Sequence, residues 1–358
     1  IKQDGDVTVV DILQLARPEL RELKPYSPGG YESGLVRLNA NESPWRIPSD
    51  NTERGLNFYP PTRPLPLRRL LAEHYGVIEE KILVTRGSTE AIDLLIRGFC
   101  AAGKDQLLTC PPTFDMYRLY AGIQNAEVLE VPLLRERGFA IDPKSIIDRV
   151  TERTKIIFLC SPNNPTGQSI EHGDIELICQ TVQEKTLVVL DEAYQEFSDK
   201  QDFSALEEKY ENVLRLRTLS KFISLAGVRC GAVIAEPKLI DFLSSILPPY
   251  SFPTPSIELV LKAFDKRSLN IGNERVQMLR AERAWLKKKL MNVSDIKKVW
   301  PSDANFIFIE TSNAEKFKET VRQANVLVRT FPDQPELQNC VRITVGRRED
   351  NNKLLQAF

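Results

Sequence analysis

An α/β fold, with a mostly parallel sheet sandwiched by helices, is what three observations in this 358-residue chain predict. Between about residue 80 and residue 236, seven short β-rich runs alternate with helical patterns. Those runs are almost continuously apolar rather than alternating, as expected of strands buried on both faces. A proline cluster, LPPYSFPTPS (247–256), then breaks the rhythm, because four prolines cannot all sit inside regular structure. A smaller α+β pattern follows it.

The seven strands read in order as KILVT (81–85), QLLTC (106–110), EVLEVPL (127–133), KIIFLC (155–160), TLVVLDEAY (186–194), VLRLRT (213–218) and GAVIAE (231–236). Residues 89–99, TEAIDLLIRGF, and 174–183, DIELICQTVQ, are helical stretches between them. After the prolines, NERVQMLRAERAWLKKKL (273–290) places Val276, Leu279, Leu286 and Leu290 on one helical stripe. ANFIFIE (304–310), a helix at AEKFKETVRQ, NVLVRT (325–330), CVRITVG (340–346) and a final helix complete the smaller unit. The expected division is an N-terminal arm at 1–33, a large domain at 34–246 and a small domain at 247–358.

Hydrophobic content of 42% with 27% charged residues describes an ordinary soluble globular chain. Lys+Arg 48 against Asp+Glu 49 leaves no basic excess for nucleic acid. No apolar run approaches the roughly 18 residues of a membrane span. IKQDGDVTVVDILQLA mixes acidic with apolar residues, unlike a signal or transit peptide. The six cysteines are scattered without C-x-x-C spacing, so neither structural zinc nor a disulfide framework is expected, and the compartment is expected to be reducing and cytoplasmic. His74 and His172 read as a helix-end and a loop residue, leaving little scope for histidine catalysis.

Ligands of open α/β sheets bind beyond the C-terminal ends of the strands, so the residues after each strand carry the functional reading. Gly87, Ser88 and Thr89 open a helix and offer N–H groups and hydroxyls to an anion. Phe114 follows the second strand with a flat face. SPNNPTG (161–167) brings Asn164. Asp191 leaves an apolar strand directly and needs a cation or several donors, and Tyr194 follows. TLSKFISLAGVRCG (218–231) holds Lys221 among small and apolar residues, with Thr218, Ser220 and Arg229 nearby. An anion cradle, an aromatic face, an amide, a buried carboxylate, a phenol, a lysine and an arginine are together what pyridoxal phosphate uses.

LNANESPW (38–45), NFYPP (57–61), ILVTRGSTEAIDLLIRGFC (82–100), CPPTFDMY (110–117), SPNNPTG, DEAY (191–194), RTLSKFISLAGVRCG (217–231) and CVRITVG occur in that order. In them the chain resembles the fold-type I pyridoxal-phosphate aminotransferases, and within these the histidinol-phosphate aminotransferases, nearly end to end. The resemblance implies the pyridoxal 5′-phosphate-dependent exchange of an amino group between L-histidinol phosphate and 2-oxoglutarate, giving imidazole-acetol phosphate and L-glutamate. Aromatic-amino-acid transaminases and threonine-phosphate decarboxylase share such a site. Under the resemblance, Lys221 anchors the cofactor and moves a proton, Asp191 pairs with the ring nitrogen, Asn164 and Tyr194 bond the ring oxygen, and Phe114 stacks on the ring. Ser88, Thr89, Thr218, Ser220 and Arg229 hold the phosphate. Tyr59 resembles the tyrosine that reaches it from a neighbouring subunit, which implies a homodimer with shared sites. Arg342 and Arg329 are the implied substrate cations, with Tyr26 and Asn41 lining the same cleft. No metal, nucleic acid or membrane is implied.

Overall fold

The computed structural model describes residues 11–26 and 35–358. Of the expected arm, residues 1–10 and 27–33 lie outside the described residues. Seven strands form the main sheet: β1 (Ile82–Thr85), β2 (Gln106–Thr109), β3 (Glu127–Glu130), β4 (Thr154–Cys160), β5 (Leu187–Asp191), β6 (Val213–Thr218) and β7 (Gly231–Ile234). Their spatial order is β1-β7-β6-β5-β4-β2-β3. β7 runs antiparallel to both neighbours, while the other pairs are parallel.

Alternation along each strand explains the continuous apolar runs. Ile156, Phe158, Val189 and Leu214 face one core, and Ile157, Leu159, Val188 and Val213 face the other. Helices α1 (Leu65–Tyr75), α2 (Ser88–Phe99), α3 (Met116–Gln124), α4 (Pro143–Arg149), α5 (His172–Val182), α6 (Ser204–Lys209) and α7 (Pro237–Ile246) accompany this sheet. Ile92, Leu95 and Phe99 of α2, Tyr117 of α3 and Leu243 of α7 cover the first face. Ile146, Ile178 and Leu206, from α4, α5 and α6, cover the second.

The proline cluster is partly helical, where a break was expected. α8 (Thr254–Ala263) begins within it, with Pro255 in the first turn, where no N–H is needed. Its Ile257 and Val260 pack with Leu67 of α1 and with Ile82 and Ala232 of β1 and β7, at the large sheet's edge. α9 (Lys266–Leu290) starts earlier than the apolar stripe suggests, because Asp265 caps it by accepting from the N–H groups of Arg267 and Ser268. Its Val276 packs with Tyr194 and Phe222, whereas Leu286 and Leu290 join the second sheet's core.

That second sheet is antiparallel, ordered β10-β11-β9-β8, from β8 (Ile296–Val299), β9 (Phe306–Thr311), β10 (Arg329–Thr330) and β11 (Cys340–Thr344), with α10 (Ala314–Gln323) and α11 (Arg348–Leu355). β10 is far shorter than the run NVLVRT, since Leu327 is exposed and only the last two residues pair with β11. Phe139 meets Trp300 at 4.7 Å and Phe308 at 5.8 Å, so an aromatic seam joins the two sheets.

Candidate functional site

A cup forms where β1 and β7 lie side by side. Thr85 is opposite Gly231, and a Cβ on Gly231 would stand 2.8 Å from the carbonyl oxygen of Arg217 and 2.9 Å from the backbone of Gly87. Only glycine allows that approach. Gly87, at φ 79, leads directly into α2, so the first N–H groups of that helix and the hydroxyls of Ser88 and Thr89 open on the cup. Arg229 closes it. A positive φ of 59 is costly for an arginine, the kind of backbone strain that concentrates at functional sites. Its guanidinium donates to the Ala226 carbonyl at 3.1 Å, to Ser220 Oγ at 3.4 Å and to Thr89 Oγ1 at 3.4 Å. Thr218 Oγ1 donates to Ser220 Oγ at 3.0 Å. Helix N–H groups, four hydroxyls and one fixed guanidinium suit a phosphate.

Lys221 stands between this cup and a buried carboxylate. Leu219 and Phe222 on either side of it are buried and hold the turn. Burial lowers the lysine's pKa, and the positive fields of Arg342 and Arg229 lower it further. A larger neutral fraction makes the amine a better nucleophile and base. Its Nζ lies 5.8 Å from the centre of the Tyr194 ring.

Asp191, at the end of β5, is 2% exposed. Tyr117 donates to its Oδ2 at 2.8 Å, and the Ala193 N–H to its Oδ1 at 3.2 Å. No salt bridge to Asp191 forms among the described residues. Burial raises its pKa to about 6, against the lowering effect of those two donors. A charge this deep is stable only with a cation beside it. Tyr117 was not read as a site residue: a tyrosine on the apolar face of a helix looks like core, and its partner is known only once α3 lies over β5. Tyr117 stacks on Phe158 at 4.6 Å and props Phe114 edge-on at 5.8 Å.

Asn164 Nδ2 donates to Tyr194 Oη at 3.4 Å, and Arg342 donates to Asn164 Oδ1. Arg342 thus reaches from β11 to the large sheet's loops, with its guanidinium 5.4 Å from the Phe306 ring. Burial lowers its pKa; Tyr194 opposes the shift and Arg329 adds to it. Arg329 lies directly across the β10–β11 pair from Arg342. Facing like charges destabilise a strand pair unless an anion lies between them.

Ser88, Thr89, Phe114, Asn164, Asp191, Tyr194, Thr218, Ser220, Lys221 and Arg229 all line one cavity of about 160 Å³, together with Cys160, Ala193 and Ala226. Tyr59 and Tyr26 lie elsewhere in the chain's own fold. Tyr59 stacks on Tyr250 at 4.6 Å and Tyr26 meets the same ring at 6.3 Å, both largely exposed. Asn41 is exposed at φ 55.

The family model for aminotransferase class I and II matches residues 36–358. A histidinol-phosphate aminotransferase of Xylella fastidiosa is 41% identical over 348 residues, 96% of this chain and 95% of its own. The crystal structure of the histidinol-phosphate aminotransferase from Clostridium acetobutylicum has the same fold at a TM-score of 0.76 and 22% identity, over 84% of this chain and 90% of that one. The Sinorhizobium meliloti enzyme of that name, in complex with pyridoxal 5′-phosphate, matches at 0.75 and 20%, over 84% and 82%. The chain belongs to the class I and II aminotransferases, and its cofactor is pyridoxal 5′-phosphate.

The residues present fit that cofactor. Asp191 is a buried carboxylate whose described partners are two hydrogen-bond donors and no cation, as a protonated ring nitrogen requires. The cup offers a phosphate site so close that a Cβ on Gly87 would stand 2.8 Å from the Arg229 guanidinium.

Proposed function

We propose that this chain exchanges an amino group between L-histidinol phosphate and 2-oxoglutarate, giving imidazole-acetol phosphate and L-glutamate, in histidine biosynthesis. The observation that carries the reading is the convergence of ten side chains from separate strand ends on one cavity, with Arg342 bonded to one of them, Asn164, and Arg329 across the strand pair from Arg342. Close relatives of that name over 96% of the chain support the substrate.

When bound, the cofactor supplies an electron sink for the pair of electrons left on the substrate's α-carbon. The protein does the rest. Ser88, Thr89, Thr218, Ser220 and Arg229 hold the phosphate, and Phe114 packs on the ring. Asp191 keeps the ring nitrogen protonated, and Tyr117 and the Ala193 N–H keep Asp191 in place. Asn164 and Tyr194 bond the ring oxygen. Lys221 would be the covalent anchor, and its Nζ, made less basic by burial, would take the proton from the substrate's α-carbon and pass it to the cofactor, so that the amino group stays behind. Arg342 and Arg329 bind the substrate's anion. A guanidinium fork takes a carboxylate or a phosphate, so one site serves both amino donors.

The working unit is a homodimer. Leu35, Val36, Leu38, Trp45, Ile47 and Tyr59 are all more than 45% exposed within one short stretch, an apolar surface of the kind that interfaces cover. Tyr59 serves the phosphate of the neighbouring subunit's site, and Tyr26 and Asn41 line the substrate cleft. No described helix is long and apolar enough to cross a membrane. Six free, buried cysteines suit a reducing cytoplasm.

The direct test is amino-group transfer by the purified protein. Histidinol phosphate and 2-oxoglutarate should give glutamate in equal amount to histidinol phosphate consumed. Release of carbon dioxide without glutamate would overturn the reading. Mixing Tyr59→Phe with Lys221→Ala subunits tests the shared site. The mixed dimer should recover activity over the Lys221→Ala parent through one undamaged site, and recovery only to the Tyr59→Phe rate would confine Tyr59 to its own subunit.

A further inference from the structure

Arg280 and Arg283, one turn apart on α9, donate mainly to backbone carbonyls of other elements. Tyr194 opens a short 3-10 helix, Gln195–Phe197, in which the Phe197 N–H returns to the Tyr194 carbonyl at 3.0 Å. The carbonyls of Glu196, Phe197 and Ser198 then lack helical partners. Arg280 serves all three: Nη2 donates to the Glu196 carbonyl at 3.1 Å and to that of Ser198, and Nε to that of Phe197 at 3.1 Å. Its Nη1 also donates to Asp199 Oδ1 at 2.5 Å. Arg283 is half-buried and forms no salt bridge among the described residues. Its Nη1 donates to the Phe197 carbonyl at 3.1 Å and to the Ala304 carbonyl at 2.6 Å. One nitrogen thus joins the turn after Tyr194 to the segment that leads into β9.

We propose that Arg283 is a positioning residue for the reaction: it locks the turn after Tyr194 to the segment 302–306 and so sets where the Tyr194 hydroxyl stands beside Asn164. That segment touches the supports of both side chains. The Asp303 N–H donates to the Gly167 carbonyl at 2.7 Å, in the loop that carries Asn164. A Cβ on Gly167 would stand 2.5 Å from Ser302 Oγ, so the two chains lie in close contact. Two residues beyond Ala304, the Phe306 ring meets the Tyr194 ring edge-on at 5.2 Å. The other neighbours of the Tyr194 ring are largely apolar, among them Val276, Phe222 and Ala304. Apolar packing is non-directional and does not fix a hydroxyl's place. The hydroxyl's own bond with Asn164, at 3.4 Å, is long and does little to hold it. The backbone on either side must therefore do so. Arg217, through Glu196 at 2.9 Å, ties the turn to β6, and Arg280 ties it to α9. Arg283 adds the tie to β9, the strand whose Phe306 the phenol ring rests on.

The inference rests on the reading that Tyr194 bonds the cofactor's ring oxygen. A donor there draws charge off the oxygen and lowers the proton affinity of the neighbouring nitrogen, the one Lys221 contributes. Displacing the phenol therefore raises the pH midpoint of the bound cofactor's absorbance change. That midpoint is measured on the holoenzyme for Tyr194→Phe, Arg283→Met, their combination, Arg283→Lys and Leu290→Ala, the last a variant in the second sheet's core. Tyr194→Phe should raise it by about 1–2 pH units, the worth of one hydrogen bond to a charged oxygen. Arg283→Met should raise it by about 0.5–1 unit and lower kcat about three- to tenfold. The combination should go no further than Tyr194→Phe, because both act on one contact. Leu290→Ala should leave the midpoint where it is. Arg283→Lys keeps the charge and donors on a shorter stem and should fall between the parent and Arg283→Met; it carries the test if the methionine variant does not fold. An unmoved midpoint in the Arg283 variants, additive shifts in the combination, or an equal shift in Leu290→Ala would each overturn the positioning role while Tyr194→Phe still shifts. If Tyr194→Phe leaves the midpoint unmoved, the assignment of Tyr194 itself falls, and the role of Arg283 with it.

Discussion

At the end of β5 two carboxylates follow one another, and the sheet sends them to opposite faces. Glu192, fully buried, accepts from Arg215 at 3.3 Å, Arg217 at 3.2 Å and the Phe203 N–H at 2.9 Å. The same arginines reach Asp202, Glu207 and Glu196, and Lys81 reaches Glu207, so that cluster is nearly neutral in itself. Asp191 is buried almost as deeply and has two donors but no described cation. A charge matched inside the chain holds the fold, and a charge left unmatched at a cavity is kept for a ligand. Burial alone does not tell structural from functional acids; the partner does.

The largest effect should come from the cation side of the cavity. Lys221→Ala removes a general base that contributes about 10²–10⁴-fold as well as the anchor, so turnover should fall by at least that much. Borohydride reduction should fix the cofactor on the peptide carrying Lys221, and labelling of another lysine would contradict the assignment.

Exchanging the treatment of the two acids sharpens the contrast. Asp191→Asn should fold with undiminished thermal stability and lose about 10²–10³-fold in turnover, the scale for one preorganised electrostatic contact. Glu192→Gln should instead destabilise the protein by about 3–5 kcal/mol, because two buried arginines lose their shared anion. Should both variants fail in the same way, the two acids have the same role and the comparison collapses. Next in size, Arg342→Ala should slow single turnover with glutamate and with histidinol phosphate by roughly ten- to a hundredfold each, the worth of one charge-assisted contact. Loss with only one substrate would mean that the two anions bind separately.

A pH titration of the cofactor-free protein reads the same difference. Asp191's pKa is raised by burial to about 6, so the folded chain holds that proton longer than the unfolded chain does. Its contribution is present at low pH and is lost as pH rises from about 4 to about 6. His74, half-buried between Phe222 and Phe264, has its pKa lowered to about 4 by burial and then by Arg217. Its contribution is present above about pH 6.5 and is lost as pH falls through that value toward 4. Unfolding free energy measured across this window should therefore rise more steeply with pH in Asp191→Asn than in the parent. The smallest change is Tyr117→Phe. It removes one hydrogen bond to Asp191 and should cost about two- to tenfold in turnover, with little loss of the fold.

The seven strands and the cavity that follows them could be read from the chain because both depend on local signals. Apolar runs mark the strands, and chemistry-bearing residues sit immediately after them. What escaped reading depends on contacts across the fold. VLRLRT, the exception among the apolar runs, alternates arginine with leucine and gives no sign that Arg215 and Arg217 are buried; only the pairing of β5 with β6 brings Glu192 to them. The Tyr117 hydroxyl finds Asp191 because α3 crosses above a strand 74 residues later. The start of α8 was hidden by prolines that a first turn tolerates, and that of α9 by a cap, Asp265, that lies nine residues beyond the end of the proline cluster. Tyr59 stands against Tyr250 rather than in the cup, a placement that NFYPP by itself gives no sign of.

The antiparallel strand β7 also dictates when the cup comes into being. Ile82 pairs with Ile234 and Thr85 with Gly231, so β1 waits as an unmatched edge until a far later stretch has been synthesised. Until Gly231–Ile234 has left the ribosome, nothing holds Ser88 and Thr89 beside Ser220 and Arg229. Pairings this distant in sequence form slowly. Nascent chains released short of residue 231 should therefore retain no cofactor, however well β2 to β6 have paired, and they should expose β1 as a site for misassembly. Capture of the cofactor is a late event in the life of the chain, set by strand order rather than by the chemistry of the lysine.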